Sequence, residues 1–279
     1  MAIDPGTSAI VASSLLLAKE PLNKLLGPTL DYFGKEIESF AKKRTENIGR
    51  IFQKAIDKLG PKIDEPGQVN PKLLKGLILD GSFCDDELTA EYFGGVLASS
   101  RSGITRDDRG NTYINLISRL STYQIRTHFI IYTLMRRLFV GEKLNPGMRE
   151  DREKMRIYIP FDDYDRAMAF EENEDKNACF IHSWFGLIRE NLIHNSGAYG
   201  SIQNLQKFYP HRKFSKRGVL VQPSDSGFDF YLWGHGRGEI FPHEFLNPNI
   251  NLESPQGIEI PTNAFAIIEE FERQEQTAK

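Results

Sequence analysis

Cysteine is nearly absent from this chain, because only Cys84 and Cys179 occur among its 279 residues and they lie far apart. Two distant cysteines supply neither a disulfide framework nor the paired spacing of a zinc site. The sequence therefore predicts a protein of a reducing compartment, the cytoplasm.

Long apolar runs are also missing. The run from Ala9 to Ala18 spans about ten residues, and Ser13 and Ser14 interrupt it. A helix that crosses a bilayer needs roughly 20 residues, and no basic region precedes this run as it would in a signal peptide. We therefore expect a buried helix here, with a segment lying on a membrane or a partner as the alternative.

Excess charge of either sign is absent too, since 35 basic and 38 acidic residues leave a net charge of −3. This balance argues against a globally basic nucleic-acid binder and leaves local basic patches open. The sequence has no phosphate-binding loop and no nucleophile elbow. His235, Glu239 and His243 lie among glycines and a proline that deny them a fixed helix face. We therefore expect no cofactor and no metal site.

What the sequence has instead is helical periodicity. After a break at Gly27-Pro28, apolar residues from Leu30 to Leu59 recur mostly at intervals of three and four, which predicts one face of a helix. Gly60-Pro61 should end that helix, and Pro71 should open the next. A later pair of amphipathic helices is predicted to break near Ser121-Thr122, where a hydroxyl can cap the second helix.

The character of the sequence changes after residue 175. ACFIHSWFGLIRENLIHNSG predicts an apolar helix that runs into Gly197, and the stretch 219–232 alternates around a Pro-Ser-Asp-Ser-Gly turn, which predicts a β-hairpin. A helix followed by a hairpin is the outline of a winged-helix element. The expected fold is mainly α, with an N-terminal helical arm (1–60), a central helical bundle (61–140), a charged insertion and helix (141–175), a winged-helix-like α+β element (176–235), and a loop with a C-terminal helix (236–279).

The acidic stretch GSFCDDELTAEYFGGVLASS could mark either a catalytic site or the start of a helix. Its carboxylates, Asp85, Asp86, Glu87 and Glu91, accompany apolar residues at helical spacing. Carboxylates collect at helix N-termini because they cap free N–H groups and favour the positive end of the helix dipole. Acid or metal chemistry would instead require carboxylates on the wall of a pocket, usually beside a histidine. The stretch therefore predicts a helix start.

Arg189 and His194 are the strongest candidates for catalysis. An arginine and a histidine separated by four residues on a helix resemble the site of HEPN ribonucleases, in which the histidine takes a 2′-hydroxyl proton and the arginine steadies the phosphate. Glu190 departs from that pattern, since a polar residue such as asparagine usually follows the arginine. RNA cleavage by Arg189 and His194 is therefore one alternative function, and a nucleic-acid-binding regulator that acts through residues 207–217 is the other. We expect that the protein is not an enzyme.

The densest basic stretch lies between this helix and the predicted hairpin, with Phe208, Tyr209 and Phe214 interleaved. A segment at this position of a winged helix can touch phosphates while its aromatic rings stack or pack. Solvated surface charge is the simpler interpretation. The candidate residues for contact with nucleic acid or an acidic partner are Lys207, Arg212, Lys213, Lys216 and Arg217.

Four stretches carry a family resemblance. KEPLNKLLGPTLDYFGKEI has a leucine-glycine-proline break between helices, and NPKLLKGLILDGSFCDDELTAEYFGGVLASS combines a proline, a leucine-rich turn and consecutive acidic residues. Together with YINLISRLSTYQIRTHFIIYTL and FGLIRENLI, they resemble the Abi-alpha family of bacterial proteins associated with phage abortive infection, over about residues 15–235. The activity of that family is undefined, so the resemblance implies a defence role and assigns no catalytic residue.

The resulting expectation is a non-enzymatic effector or interaction subunit of a bacterial antiviral defence system. It would contact other defence-system proteins as a homo- or hetero-oligomer, with nucleic acid as a less favoured partner. It would lie in the cytoplasm or peripherally at the inner membrane, where apolar burial and anionic lipid would hold it. The candidate residues of this membrane or partner face are Leu15, Leu16, Leu17, Leu25, Leu26, Lys42, Lys43 and Arg44.

Overall fold

The computed structural model describes residues 35–104, 106–210, 212–252, 255 and 257–267. Contacts within the chain divide it into two compact units. The described residues of the first unit lie within 35–119 and 233–238, and those of the second lie within 120–232 and 239–267.

The first unit is helical over most of its described residues. Its helices are α1 (Lys35–Leu59), α2 (Pro71–Gly81), α3 (Glu87–Ser99) and α4 (Gly110–Arg119), with a 3-10 turn at Gly60–Asp64. Pro71 opens α2 directly after Asn70, whose side-chain oxygen accepts the N–H of Lys72 at 2.9 Å. The end of α1 before Gly60 and the start of α2 at Pro71 confirm the sequence prediction.

The acidic stretch begins a helix, as predicted. Asp86 caps α3, because its Oδ2 accepts hydrogen bonds from the N–H of Thr89 at 2.8 Å and from the Thr89 hydroxyl at 2.6 Å. The apolar side of α3 is buried and consists of Leu88, Tyr92, Phe93, Val96 and Leu97.

The other carboxylates of this stretch bind basic residues of α1, which packs chiefly against α3. Lys54 and Lys58 both reach Glu91, with Nζ to carboxylate distances of 2.5 and 2.8 Å. We call this set of contacts the α1–α3 ion-pair ladder. Its pairs are Lys43–Asp85, Arg50–Glu87, Lys54–Glu87, Lys54–Glu91 and Lys58–Glu91.

Glu91→Gln should weaken the ladder in a pH-dependent way. Burial alone raises the pKa of Glu91, but hydrogen bonds from Lys54 and Lys58 outweigh it and hold that pKa below the usual value. A carboxylate whose pKa is lowered by folding stabilises the fold above its unfolded pKa, and this contribution is lost as the pH falls through the folded pKa. We expect the variant to lose about 1.5 kcal/mol of unfolding free energy at pH 7.

Urea denaturation of both proteins from pH 7 to pH 3 measures this effect. The difference between them should shrink in acid, where the native carboxylate is also neutral. Glu46→Gln is the control, since Glu46 meets Lys42 at 3.9 Å on an exposed surface and such pairs contribute little. A loss for Glu91→Gln that persists unchanged at pH 3 would contradict the ion-pair explanation.

The second unit combines helices with a small sheet. Its longest helix begins at the predicted position, where Ser121 and Gln124 form a reciprocal capping box. The helices are α5 (Thr122–Phe139), α6 (Arg149–Lys154), α7 (Phe161–Met168), α8 (Lys176–Arg189), α9 (Ile202–Phe208) and α10 (Asp225–Gly234, of which residues 233–234 belong to the first unit), and a 3-10 turn spans Pro242–Glu244. The strands are β1 (Ile157–Pro160), β2 (Ala198–Gly200), β3 (Gly218–Val221) and β4 (Phe265–Ala266).

The four strands form an antiparallel sheet in the order β2-β3-β1-β4. Tyr158 of β1 lies opposite Leu220 of β3 on one side and Phe265 of β4 on the other. Together with Leu205 of α9 and Phe214, these side chains form an apolar cluster that holds α9 against the sheet.

The predicted β-hairpin over 219–232 is wrong in its second half. Val219, Leu220 and Val221 do form a strand, but Asp225–Gly234 is the helix α10. The hydroxyl oxygen of Ser224 accepts the N–H of Gly227 at 3.1 Å, which satisfies a free donor at the helix start. Phe228, Phe230 and Tyr231 of α10 are all buried, so the burial of aromatic residues in this helix does not follow the alternation of a strand.

The structure confirms a mainly α fold with a C-terminal α+β element. The sheet of that element takes its strands from 157–160, 198–200, 218–221 and 265–266. Within the described ranges, no helix has the length and apolar character required to cross a membrane. The predicted C-terminal helix lies largely beyond residue 267, outside the described residues.

Candidate functional site

A cleft in the second unit brings together residues that are distant in the sequence. It is a small cleft that opens to solvent, with an internal volume of about 40 Å³. Its walls come from the residue before β1, the segment leading into β2, the end of α9 and the end of β3. We call it the polar cleft, and its polar residues are Arg156, Ser196, Tyr209 and Gln222.

Arg156 supplies the positive charge of the polar cleft. Its Nε donates to Oε1 of Gln222 at 3.0 Å, and its Nη1 donates to the hydroxyl of Tyr209 at 2.6 Å. The guanidinium carbon also lies 5.9 Å from the centre of the Tyr209 ring, within reach of a cation–π interaction. Among the described residues no carboxylate forms an ion pair with Arg156, so only neutral groups hold this partly buried cation.

Ser196 connects Gln222 to His194. Its hydroxyl donates to Oε1 of Gln222 at 2.6 Å and lies 2.9 Å from Nδ1 of His194. The same Nδ1 accepts the N–H of Ser196 at 3.2 Å. Because that N–H donates to Nδ1, the neutral imidazole carries its proton on Nε2. Hydrogen bonds therefore run from Tyr209 through Arg156 and Gln222 to the Ser196 hydroxyl, and the backbone N–H of Ser196 links that residue to His194.

Buried backbone contacts fix the turn that carries His194. Asn191 has a φ of 55°, in the left-handed region, and the hydroxyl of Tyr132 donates to the carbonyl of Leu192 at 2.7 Å. The N–H of His194 donates to the carbonyl of Gln222 at 3.0 Å. These contacts hold the segment after α8 beside the end of β3.

The predicted helix through Arg189 and His194 is wrong, because α8 ends at Arg189. The left-handed residue Asn191 turns the chain, so the two residues do not share a helix face. Arg189 is exposed and its Nε lies 3.6 Å from the carboxylate of Glu190. The cation linked to His194 by hydrogen bonds is Arg156 instead.

The five candidate residues of the basic segment (207–217) have different surroundings. Arg212 lies over the ring of Phe265 at 4.7 Å, and Arg217 lies over the ring of Phe161 at 5.6 Å. Lys216 forms an ion pair with Asp162 at 2.8 Å. Lys207 and Lys213 are exposed and have no ion pair within the part of the chain that the structure describes. Within the described part of the segment, these two lysines make neither an ion pair nor a ring contact that would compete with a partner.

The candidate membrane or partner face is described only in part. Lys42 pairs with Glu46, whereas Lys43 belongs to the α1–α3 ion-pair ladder. Arg44 donates to the hydroxyl oxygen of Ser82 at 2.7 Å and lies over the Phe83 ring at 4.0 Å. The remaining candidates lie outside the described residues and are Leu15, Leu16, Leu17, Leu25 and Leu26.

Arg156 and Gln222 were not predicted from the sequence. Arg156 directly precedes β1, and Gln222 directly follows β3. These strands pair antiparallel with Ile157 opposite Val221, so the next residues along each strand come together. The strand at 219–221 was predicted, but the pairing that brings the ends of β1 and β3 together is a long-range contact.

Within the described residues, no group of three or more histidine, cysteine, aspartate and glutamate side chains is arranged to hold a metal ion. No protein-family model matches the chain, and comparisons with curated proteins and with solved structures also found no match.

Proposed function

We propose that the protein is a non-enzymatic effector or interaction subunit of a bacterial antiviral defence system. The defence setting comes from the resemblance to the Abi-alpha family. In this proposal the protein acts by binding an acidic surface of another defence-system protein. The two form part of a homo- or hetero-oligomer. It acts in the cytoplasm or at the inner face of the membrane.

The proposed mode of action rests on the exposure of Lys207 and Lys213 and on their lack of an ion pair with any described residue. Both are exposed on the basic segment, and neither has an ion pair among the described residues. Three other basic residues of the segment are held by rings or by Asp162. An exposed cation without an internal carboxylate is free to steer and orient an acidic partner.

The acidic stretch supports the non-enzymatic part of the proposal. Asp86 caps α3, and Asp85, Glu87 and Glu91 bind α1. Carboxylates used in this way stabilise the fold and are not directed into a cleft. Lys43 and Arg44 are likewise bound within the first unit.

Reversing the charges of Lys207 and Lys213 should abolish protection against phage. We expect the double variant Lys207→Glu/Lys213→Glu to reduce phage plating at least tenfold less than the wild-type chain does. Like charges that face each other across an interface have an effect on the order of this size. Plating efficiency on bacteria that produce the full chain with the products of its neighbouring genes measures this. Lys75→Glu/Lys143→Glu is the matched control, since both of these lysines are exposed.

Two outcomes would contradict the proposal. Equal loss of protection in the control variant would mean that net charge matters rather than the basic segment. RNA cleavage by the purified wild-type protein that disappears in His194→Ala would show that the protein is an enzyme, the alternative function.

A further inference from the structure

We infer that the polar cleft binds the phosphate group of a nucleotide, with the base of the nucleotide against Phe208. This inference does not rest on the defence assignment, and it uses Arg156 and Phe208 rather than the exposed lysines Lys207 and Lys213.

The charge of the cleft points to an anion. Arg156 lines the cleft, is partly buried, and forms no ion pair with a carboxylate in the described part of the chain. Removing an arginine from water without a compensating anion is unfavourable, so a bound anion would stabilise it. The guanidinium fork matches the geometry of phosphate oxygens, which it binds with two parallel hydrogen bonds.

The hydrogen-bond donors of the cleft point to phosphate. Arg156 uses two of the five N–H donors of a guanidinium on Tyr209 and Gln222. Oε1 of Gln222 accepts from both Arg156 and Ser196, which fixes the orientation of its amide group. The N–H donors of that amide make no hydrogen bond to any described residue. The cleft therefore presents several donors around one cation.

The aromatic lining points to a nucleotide rather than to free phosphate. Phe208 lies at the end of α9, lines the cleft and is 55% exposed, although it is a large apolar side chain. An exposed ring beside a cation is the arrangement on which nucleic-acid bases stack, because every base offers an aromatic face. Because the cleft is open to solvent, the ribose and base can extend from a phosphate at Arg156 toward Phe208.

Isothermal titration calorimetry of the full chain tests the assignment with four probes. They are AMP, adenosine, inorganic phosphate and a short oligoribonucleotide with a 5′-phosphate. AMP should bind, adenosine should bind at least tenfold more weakly because it lacks the phosphate, and inorganic phosphate should bind more weakly than AMP because it lacks the base. AMP should bind at least as tightly as the oligonucleotide.

Two variants assign the binding to the cleft. Arg156→Gln should weaken AMP binding at least tenfold, while Arg189→Gln, which removes an exposed arginine of the same unit, should leave it unchanged. Phe208→Ala should weaken binding of AMP and leave binding of inorganic phosphate unchanged. Phe208 is exposed, so this variant keeps the test valid if Arg156→Gln does not fold.

Three results would overturn the inference. The first is the absence of any heat of binding for AMP at millimolar concentration. The second is an AMP affinity of folded Arg156→Gln that equals that of the wild type. The third is an AMP affinity of Phe208→Ala that equals that of the wild type. Binding of the oligonucleotide without binding of AMP would also overturn it, because the source of the phosphate would then be the end of a nucleic acid.

Discussion

Gly95→Ala is expected to lower the free energy of unfolding by roughly 3 kcal/mol, although alanine is ordinarily more favourable than glycine inside a helix by about 1 kcal/mol. Gly95 lies within α3, where a Cβ would come within 1.8 Å of the carbonyl oxygen of Gly234 and 2.9 Å of its Cα. Because these are backbone atoms, a side-chain rotation does not relieve the overlap. Either α3 or the segment at Gly234 must move.

Chemical denaturation followed by far-ultraviolet circular dichroism measures this loss. Gly76→Ala is the matched control, since Gly76 lies within α2 and a Cβ there would meet side-chain atoms only, the nearest being Cγ2 of Ile114 at 3.4 Å. Alanine at that position should raise the free energy of unfolding by up to about 1 kcal/mol. If both alanine variants shift the stability in the same direction, the steric explanation for Gly95 is wrong.

The same glycine illustrates what sequence reasoning can predict. The helix α3 was predictable from its cap and its apolar spacing, but the glycine pair inside it had no local explanation. A Cβ on Gly94 would meet Cβ of Lys54 in α1 at 2.7 Å, so the pair lets backbones approach on both sides of α3. That approach depends on segments distant in the sequence.

Helix starts were predicted well because their causes are local. Pro71, Asp86 and Ser121 each lie within three residues of the backbone groups that they affect. The end of α8 was predicted poorly, because the left-handed turn at Asn191 is stabilised by the hydrogen bond from Tyr132 to Leu192, which lies 60 residues further along the sequence. The apolar residues after Arg189 are buried in either conformation, so their periodicity did not distinguish a helix from a turn.

The candidate site was less predictable than the fold for the same reason. His194 was identified, but with Arg189 as its partner. The residues that actually join it, Arg156 and Gln222, come from the ends of two strands whose pairing only the folded chain shows. The basic segment was visible by composition, yet the contacts of its residues with Asp162 and with two aromatic rings are long-range.

Tyr132→Phe is expected to lower the free energy of unfolding by about 3 kcal/mol. The hydroxyl of Tyr132 is fully buried, donates to the carbonyl of Leu192 at 2.7 Å and accepts the N–H of Ser224 at 3.1 Å. Phenylalanine leaves both backbone groups buried without that partner, and each such group costs about 1–3 kcal/mol. The two groups flank the turn that carries His194 and Ser196, so the variant should also loosen the polar cleft.

Tyr231→Phe provides the comparison for Tyr132→Phe, because both rings are buried and both variants remove one hydroxyl. The hydroxyl of Tyr231 meets the hydroxyl of Thr133 at 3.0 Å. Thr133 is only half-buried and can turn to water, so we expect a loss of about 1 kcal/mol. Urea denaturation gives both losses, and amide hydrogen exchange at Ser224 should accelerate only in Tyr132→Phe. Equal losses, or an unchanged exchange rate at Ser224, would mean that the Tyr132 hydroxyl does not hold the turn, and the geometry of the polar cleft would then need another source of support.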